Sequence, residues 1–533
     1  MLLDIRPDHL KIVQDILQKC VPEREVWAFG SRAKWLAKEY SDLDLCILGK
    51  APLSFRTLGL LEEAFEDSDL PYKVDVVDWA TTSEGFRKII ERDKVVVPKG
   101  GWGMSAEWKT MRLDQLAQIN PTRKVQKGST VPFVEMAALP QRSRDIGMAD
   151  VVSREAKGSG AHFQNGDTLL ARITPCLENG KTAQVCCLEG NSVAEGSTEF
   201  IVLCGNDPAD NNFIYYLCRD PSFRKYAIAR MEGTSGRQRV SWQSIAAYEF
   251  APPPPNERRA ASRVLTALDD RIALLRETNA TLEAIAQALF KSWFVDFDPV
   301  RAKQDGRTTE CMDQATAALF PNSFEESELG LVPKGWRVAS LDAIANFLNG
   351  LALQKFPPEN EDDWLPVIKI AQLRKGDTAG SDRASPNIKQ EYTVQNGDVL
   401  FSWSGSLEVE IWCGGAGALN QHLFKVSSAD FPKWFYFFWT RQHLPHFQQI
   451  AASKATTMGH IQRKHLTEAK VVVPSEAVMA SACDVFEPLL ERLINNALQA
   501  KTLATLRDTL LPRLISGQLR LPEAEAEIEG VTA

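Results

Sequence analysis

Apolar residues recur every seven positions between residues 261 and 296, with mostly polar residues between them. One heptad position holds Leu268, Leu275, Leu282 and Leu289, and another, three residues ahead, holds Leu265, Ile272, Asn279, Ala286 and Trp293. The stretch contains no Gly or Pro, so the pattern predicts a continuous helix about 50 Å long. An apolar seam of that length requires a partner helix, unless the helix is simply part of the core of an ordinary domain.

A second stretch near the C-terminus carries the same pattern. One heptad position of this stretch holds Phe486, Leu493, Ala500 and Leu514. The other holds Leu489, Leu503 and Leu510. Asn496 and Arg507 interrupt this seam with polar side chains. Two such helices in one chain can bury their seams against each other, so we predict that they pair. The predicted pairing residues are Leu268, Leu275, Leu282, Leu289, Leu489, Leu503 and Leu510.

The regions that precede the two helices also repeat. Residues 164–169 (QNGDTL) return as 395–400 (QNGDVL), and Trp108 and Trp336 are each followed at the same distance by Leu-Asp. In both copies the NGD precedes an apolar run, which is typical of a tight turn leading into a strand. Many other short apolar runs, separated by Gly, Asn and Pro, also predict strands. The repeat unit is therefore a strand-rich domain followed by a long helix.

Residues 1–98 show a different pattern, which predicts a separate small α/β domain. Strand-like runs occur at 26–29 (VWAF), 42–48 (DLDLCIL) and 72–78 (YKVDVVD), with helical patterns at 8–20, 56–66 and 83–91. Loop-forming residues at 98–101 (PKGG) end this unit, and we place a linker at 99–107.

Three acidic residues of this domain fall on neighbouring predicted strands. Asp42 and Asp44 are two residues apart, so their side chains point to the same face, and Asp75 lies in the next strand. Carboxylate oxygens from adjacent strands suit Mg²⁺. Gly30 and Ser31, at a strand-to-helix turn, offer backbone N–H groups and a hydroxyl to a phosphate. The alternative is that the aspartates are solvated loop residues.

Composition and charge limit the number of domains, the class of protein and the cellular compartment that the sequence allows. A chain of 533 residues suggests about three or four domains. The net charge of −8 excludes a uniformly basic DNA-binding protein, so basic patches must be judged locally. The ten cysteines form no C-x-x-C pair, which favours reduced thiols in a cytoplasm over a disulfide framework or a zinc site. The N-terminus is too charged for a signal peptide, and no apolar run is long enough to predict a transmembrane helix.

Two basic stretches lie at corresponding places in the repeat. Residues 224–239 are rich in Arg and Lys, and residues 431–467 contain no Asp or Glu. Two domains held at a fixed separation along a rod suit two half-sites on duplex DNA. The basic side chains are suited to phosphates, whereas Gln238, Gln462 and the arginines are suited to base edges.

The segments FGSRA, YSDLDL and VDVVD resemble the minimal nucleotidyltransferase family of the polymerase-β type. The resemblance implies a catalytic site formed by Gly30, Ser31, Asp42, Asp44 and Asp75. It also implies that the three aspartates bind Mg²⁺ and that a nucleoside triphosphate is used. The family often continues GSRA with a basic residue and a glycine, and Lys34-Trp35 departs from that pattern.

Residues from about 102 to 521 closely resemble the specificity subunit of type I restriction–modification systems. The resemblance is carried by the two NGD blocks and by 172–176 (RITPC), 179–181 (NGK), 289–299 (LFKSWFVDFDP), 330–336 (GLVPKGW) and 511–519 (LPRLISGQL). It implies two target-recognition domains that each read half of a split double-stranded DNA site, with no cofactor needed for DNA binding. It also implies that the helices recruit methyltransferase (M) subunits and, through them, restriction (R) subunits.

These patterns together predict an α+β multidomain protein in which the two long helices pair as an antiparallel coiled coil. After the nucleotidyltransferase-like domain, we expect target-recognition domains at 108–258 and 335–475, spacer helices at 259–300 and 476–520, a connector at 301–334 and a flexible tail at 521–533. The predicted DNA contacts are Arg172, Lys181, Arg237, Gln238, Arg239, Lys454, His460, Gln462, Arg463 and Lys464.

Several alternatives remain open at this point. The N-terminal domain is either a nucleotidyltransferase acting on a protein or an RNA, with the DNA-reading half used for targeting, or an inactive docking module. Residues 180–182 (GKT) lack the first glycine of a P-loop and are interpreted as a recognition-domain loop. The aromatic run 434–439 (WFYFFW) suits base stacking or, more often at its spacing, a core. The chain has no Asn-Pro-Pro-aromatic motif of adenine methyltransferases, so methylation requires a partner.

Overall fold

The computed structural model describes residues 3–34, 37, 41–49, 51–97, 109–234, 236–309, 312–453, 459–519, 521, 523–524 and 527–528. The chain divides into two compact units, Met1–Lys109 and Thr110–Ala533. The predicted linker at 99–107, Trp35 and the predicted DNA contact Lys454 lie outside the described residues.

The first unit is a four-stranded sheet with helices on both faces. Its elements are β1 (Val26–Phe29), β2 (Leu43–Ile47), β3 (Val74–Asp78) and β4 (Val95–Val97), with α1 (Pro7–Cys20), α2 (Gly30–Ala33), α3 (Phe55–Glu66) and α4 (Glu84–Asp93). The strand order is β3-β2-β1-β4, and β2 and β3 are parallel. Residues of α1 and α3 join one core cluster and Ile90 of α4 joins another, so all four residues of β1 are buried.

The first copy of the repeat begins the second unit. Its strands are β5 (Met111–Arg112), β6 (Ala117–Ile119), β7 (Thr130–Val134), β8 (Val151–Glu155), β9 (Ala161–Phe163), β10 (Thr168–Ala171), β11 (Thr182–Gln184), β12 (Ala194–Gly196), β13 (Phe200–Gly205), β14 (Met231–Glu232), β15 (Arg239–Val240) and β16 (Glu249–Phe250). Its helices are α5 (Leu113–Leu116), α6 (Asn211–Arg219), α7 (Pro221–Ala229), α8 (Trp242–Ala246) and α9 (Pro255–Phe294), followed by α10 (Asp298–Gln304) and α11 (Gln314–Leu319). Two four-stranded sheets, β11-β10-β13-β6 and β8-β7-β12-β9, form its centre.

The second copy follows the same plan. Its strands are β17 (Phe324–Ser327), β18 (Gly330–Pro333), β19 (Arg337–Ser340), β20 (Asn346–Asn349), β21 (Leu365–Ile368), β22 (Arg383–Ala384), β23 (Thr393–Val394), β24 (Val399–Ser402), β25 (Val409–Ile411), β26 (Gly417–Leu419), β27 (Leu423–Ser427) and β28 (Lys470–Val473). Its helices are α12 (Leu341–Ile344), α13 (Ile370–Lys375), α14 (Lys433–Ser453), α15 (Arg463–Glu468) and α16 (Glu476–Ile515). The sheets β20-β27-β24-β25 and β22-β21-β26-β23 correspond to those of the first copy.

The NGD segments form the predicted tight turns in both copies. The carboxylate Oδ2 of Asp167 accepts the N–H of Gln164 at 2.8 Å, and Oδ2 of Asp398 accepts the N–H of Gln395 at 2.8 Å. The glycines between them have φ angles of +90° and +89°, a conformation that favours glycine. The aspartates are thus structural, and each also pairs with a buried or half-buried basic residue.

The two long helices, α9 and α16, contact each other along the second unit. The Asn279 amide donates to the Leu493 carbonyl at 2.8 Å, and the Asn496 amide donates to Asn279 Oδ1 at 2.9 Å. Asp269 pairs with Arg507, and both side chains are almost fully buried. The two polar residues that interrupt the second seam therefore have polar partners on the other helix.

The bounds of these helices differ from the expected 259–300 and 476–520. α9 begins at Pro255, because proline is well tolerated in a first helical turn, and ends at Phe294. The chain cannot continue as one helix because Phe297 adopts a left-handed φ of +59° before α10 begins. α16 ends at Ile515.

The seam leucines are buried unevenly. Leu268, Leu275, Leu503 and Leu510 are buried, whereas Leu282, Leu289 and Leu489 are half-buried. The predicted flexible tail also differs where the structure describes it: Ala524 is fully buried, and Glu527 accepts two hydrogen bonds from Arg513, at 2.7 and 2.8 Å. The burial of Ala524 and the ion pair between Glu527 and Arg513 of α16 therefore hold part of this segment against the rest of the second unit.

Candidate functional site

The five predicted catalytic residues of the first unit lie around one end of β2. In the sheet register, Phe29 of β1 is opposite Asp44, and Asp44 is opposite Asp75 of β3. Gly30 has a φ of +74°, and a Cβ built there would lie 2.1 Å from Asp44 Oδ2. The Asp44 carboxylate therefore rests against the Gly30 backbone, and only glycine fits this position. Ser31 follows in α2, and Asp42 is exposed just before β2.

The surroundings of Asp44 disfavour the charged form of its carboxyl group. Burial raises the pKa of the Asp44 carboxyl, and the nearby Asp75 and Asp42 carboxylates raise this pKa further. Asp75 also forms an ion pair with Lys73, at 2.6 Å. A carboxyl whose charged form is disfavoured by burial and by two neighbouring carboxylates is the kind of group that a bound cation stabilises.

The donor set fits Mg²⁺ by chemistry, since all three side chains offer hard oxygen ligands. Within the ranges that the structure describes, however, no group of three or more His, Cys, Asp or Glu side chains converges as a ready metal site. Asp75 instead faces Lys73. Asp42, Asp44 and Asp75 thus lie near one end of β2, and their predicted binding of Mg²⁺ stays a prediction.

Four of the predicted DNA contacts of the first recognition domain lie where two stretches of chain meet. The N–H of Thr174 donates to the Gln238 carbonyl at 3.0 Å, and Ile173 and Arg239 form an isolated β-bridge. This pairing brings the strand end that carries Arg172 beside 237–239. Arg237 is exposed, which suits a contact with a phosphate.

Lys181 differs from the other predicted contacts. Its ammonium donates to the backbone carbonyls of Met136 at 2.8 Å and Ala137 at 3.2 Å. Its ammonium therefore holds a loop of the recognition domain with two of its three donors, and its predicted contact with DNA stays a prediction.

The predicted contacts of the second recognition domain surround the start of α15. His460 forms an isolated β-bridge with Ser404, and Gln462 and Lys464 are exposed. The Arg463 guanidinium donates to the Phe347 carbonyl at 3.2 Å and lies 5.8 Å from the Phe424 ring centroid. Exposed basic groups thus occur beside one strand junction in each recognition domain, with the half-buried Gln238 in the first and the exposed Gln462 in the second.

The aromatic run 434–439 is core. All six residues are buried in α14, where Trp434 stacks on Phe486 of α16 with ring centroids 4.7 Å apart. Phe438 lies 5.4 Å from Phe290 of α9. These rings attach the second recognition domain to the long helices, so the base-stacking interpretation does not hold.

Comparison with known proteins separates the two units. A family model described as "Polymerase beta, Nucleotidyltransferase" matches residues 11–99. The chain is 57% identical over 95 residues to the probable protein adenylyltransferase MntA of Haemophilus influenzae, a match covering 18% of this chain and 83% of that protein. The first unit belongs to the polymerase-β-type nucleotidyltransferases. The resemblance of FGSRA, YSDLDL and VDVVD to this family is thereby confirmed.

Over a longer part of the chain, the similar proteins are specificity subunits of type I restriction enzymes. The HindI subunit of Haemophilus influenzae is 25% identical over 407 residues, covering 67% of this chain and 87% of that protein. The MjaIX subunit of Methanocaldococcus jannaschii is 24% identical over 325 residues, covering 60% and 71%. The chain is therefore homologous to type I specificity subunits over most of its length, as its motifs predicted.

A solved type I S subunit from M. genitalium also aligns with this chain. The alignment covers 78% of this chain and 98% of that one, at 17% identity and a TM-score of 0.41. Among the helices that the structure describes, none combines the length and apolar character needed to cross a bilayer.

Proposed function

We propose that this chain is the DNA-specificity subunit of a type I restriction–modification complex, and that each repeat copy reads one half of a split target. The observation that carries this proposal is the duplication itself. Two domains with corresponding sheets are each followed by a long helix, and the two helices contact each other. This arrangement suits two half-sites at a fixed separation on duplex DNA. Homology to specificity subunits supports the same function.

The direct test is to co-express the chain with a type I methyltransferase subunit and to map methylated adenines in genomic DNA. We expect methylation at one split motif, with two defined half-sites and a spacer of constant length. Methylation without any such motif would count against the proposal.

We also propose that α9 and α16 form an antiparallel coiled coil that sets the spacer. Asp269, in the first half of α9, contacts Arg507, near the end of α16, and Asn279 contacts Asn496, nearer its middle. This order of contacts supports opposite helix directions. Asparagine in an apolar seam selects one register, because any other leaves its amide unsatisfied.

The coiled coil can be tested as a ruler. One heptad inserted near Ala280 and another near Asn495 lengthen both helices by about 10 Å, or about three base pairs of DNA. We expect the spacer of the methylated motif to grow while both half-sites stay unchanged. The matched control inserts the heptad into α9 alone, which should break the pairing and abolish methylation. An unchanged spacer in the double insertion would contradict the ruler.

We propose that the outer face of the helix pair recruits the M subunits and, through them, the R subunits. Leu274 and Ile285 of α9 are 52% and 45% exposed, and their separation of about three helical turns places them on one face of the helix. Replacing both by Glu should abolish co-purification with the M subunit. The control is Leu331→Glu, at an exposed leucine of β18.

A second activity is favoured by the site around Asp44. We propose that the first unit transfers a nucleotide to a protein or an RNA, and the identity to a probable protein adenylyltransferase favours a protein hydroxyl. Asp44 and the neighbouring Asp42 and Asp75 would hold Mg²⁺, and the Gly30–Ser31 turn would lie against the triphosphate. The bound metal would neutralise phosphate charge. Without the metal, the three carboxylates repel one another, so the site is incomplete.

The transfer activity is tested with labelled ATP and Mg²⁺ on the full chain. Labelling of a co-purified protein should be lost on Asp42→Ala plus Asp44→Ala and kept on Asp67→Ala, at an acidic residue just after α3. If the double variant still supports methylation, the two activities are separable. If the wild-type chain labels neither protein nor RNA, the docking-module alternative is favoured.

A further inference from the structure

Two distant stretches meet at the end of β10 in the first recognition domain. The N–H of Val240 donates to the Arg172 carbonyl at 2.9 Å, and the N–H of Arg172 donates to the Glu199 carbonyl at 3.0 Å. The Arg239 guanidinium donates to the Glu199 carboxylate through Nε at 3.0 Å and Nη2 at 2.7 Å. We name Arg172, Glu199 and Arg239 the first junction.

The second recognition domain has the same backbone arrangement at the end of β24. The N–H of Ile461 donates to the Trp403 carbonyl at 3.0 Å, and the N–H of Trp403 donates to the His422 carbonyl at 3.4 Å. The Trp403 ring centroid lies 5.9 Å from that of His422 and 6.3 Å from that of His460. We name Trp403, His422 and His460 the second junction.

Strand register shows that the two junctions are equivalent. Arg172 and Trp403 each follow the last residue of the strand that begins after the NGD turn. Ala171 pairs with Phe200, and Ser402 pairs with Leu423, so Glu199 and His422 each precede the paired residue. The same backbone arrangement therefore carries three charged side chains in the first recognition domain and one indole and two imidazole rings in the second.

We propose that these junctions are the base-reading sites of the two recognition domains, and that their different side chains make the two half-sites different. This inference rests on the proposed function as a DNA-specificity subunit. It adds three residues that the sequence did not single out, Glu199, Trp403 and His422. It also explains why Arg239 and His460, which look unrelated in sequence, occupy corresponding positions.

Polar groups at the first junction lack partners. Arg172 Nε and Thr174 Oγ1 are buried and have no hydrogen-bond partner among the residues that the structure describes. The Arg239 side chain keeps 42% of its exposure despite its salt bridge with Glu199. Because those two atoms are inaccessible, a base edge would contact the exposed part of the Arg239 side chain, whose orientation Glu199 holds.

The second junction is half-buried and aromatic. Ser404 Oγ and His422 Nδ1 are 3.0 Å apart, and the Trp403 indole donates to Asn349 Oδ1 at 2.9 Å. These hydrogen bonds fix the rings beside the exposed Gln462. The fixed rings offer an apolar edge next to amide groups.

The chemistry of each junction indicates the base pair it takes. Arginine matches the two major-groove acceptors of guanine, and Glu199 orients Arg239 for such a contact. An apolar ring edge suits the methyl group of thymine, and an amide suits adenine. The structure therefore assigns a G·C pair to the first junction and an A·T pair to the second.

The test begins with the split motif methylated by the wild-type complex, then measures binding of the complex to duplexes carrying single base changes. Arg172→Ala should remove a preference for G·C of about 5- to 150-fold at one position of one half-site. Trp403→Ala should remove a preference for A·T at one position of the other half-site. Each variant should leave the opposite half-site unchanged.

Transplanting one junction is the sharper test. Arg172→Trp, Glu199→His and Arg239→His together should convert the G·C position to A·T without changing the second half-site. Controls are Arg112→Ala and Trp364→Ala, exposed and half-buried residues outside the junctions, which should leave the motif unchanged. If the triple variant does not fold, judged by its melting curve, Arg172→Lys and Trp403→Phe provide conservative tests of base preference.

The outcomes distinguish the two proposals. If the wild-type complex methylates no split motif, the proposed function fails. If it does, and folded junction variants keep both half-sites with unchanged base preference, the junction assignment is wrong and the function stands. Changes in both half-sites from one junction variant would also overturn the assignment.

Discussion

The two recognition domains attach to the long helices in different ways. In the first, the Tyr216 hydroxyl on α6 donates to Asp269 of α9 at 2.8 Å, and Asp269 pairs with Arg507 of α16. In the second, α14 packs its rings against Phe290 of α9 and Phe486 of α16. Both attachments also bury apolar side chains, and in the second Arg441 of α14 pairs with Glu283 of α9. They differ in that the first contains a buried ion pair and the second a cluster of aromatic rings.

The two attachments should be sensitive to different substitutions. Burial and the Asp269 carboxylate raise the pKa of the Tyr216 hydroxyl, which keeps it a donor. Burial alone would lower the pKa of the Arg507 guanidinium, but Asp269 and Asp508 raise it, so the group stays charged. Removing one member of such a set leaves a buried charge unpaired, whereas an aromatic cluster loses only contact area.

The largest expected effect follows from breaking the buried pair. Asp269→Ala should destabilise the second unit by about 3 kcal/mol, because the buried Arg507 loses its buried partner and keeps only the exposed Asp508 carboxylate. Denaturant unfolding followed by tryptophan fluorescence measures the change. Glu277→Ala, at an exposed acidic position of the same helix, should stay within about 0.5 kcal/mol. If the two variants lowered the free energy of unfolding equally, the buried pair would have no special role in the first attachment.

The aromatic attachment should respond less to a conservative change. Phe486→Leu keeps an apolar side chain in the cluster and should destabilise the unit by about 1.5 kcal/mol, since part of the ring volume is lost. Asp269→Asn, equally conservative in shape, should be worse, because it removes the only buried charge that faces Arg507 among the residues that the structure describes and leaves the exposed Asp508 alone to balance it. Unfolding of both variants under one condition decides the order, and a reversed order would contradict the proposed difference.

A smaller effect is expected when both charges are removed together. Asp269→Leu with Arg507→Met replaces the pair by apolar side chains of similar size and should change stability by about 1 kcal/mol or less. Retained methylation of the same motif would indicate that the pair is dispensable for register. A changed spacer would instead assign the register to this pair rather than to Asn279 and Asn496.

Acidification should affect the first attachment before the second. Burial alone would raise the pKa of Asp210, but hydrogen bonds and charge from Arg258 and Arg259 of α9 outweigh it and lower that pKa. A lowered folded-state pKa contributes stability above the unfolded value of about 3.9, and this is lost as pH falls further. Hydrogen exchange, corrected for intrinsic rates, should rise in α6 more than in α14 below about pH 4. Equal changes would count against a charge-dependent attachment.

Much of the architecture could be predicted from local patterns. The heptads, the NGD turns and the strand–turn–strand order of the first unit depend on residues close together in the chain, so their spacing is visible in one sequence. The predicted catalytic residues Gly30, Asp44 and Asp75 lie on neighbouring elements, as the local pattern indicates. What could not be predicted was whether the aspartates close on one point, because that depends on Lys73 and on side-chain direction.

Periodicity and turn chemistry are local properties, so the sequence predicts a small α/β domain joined to a duplicated unit with two amphipathic helices. The resemblance of the small domain to nucleotidyltransferases rests on the motifs FGSRA, YSDLDL and VDVVD. The exceptions to the local patterns are explained by tertiary contacts. Asn496 and Arg507 look like flaws in a seam until Asn279 and Asp269 lie opposite them. The aromatic run 434–439 is buried in the core, and the Lys181 ammonium donates hydrogen bonds to two loop carbonyls. Glu199 and His422 occupy equivalent positions in the two recognition domains. Each of these outcomes depends on contacts between residues far apart in the chain, and no local pattern records such contacts.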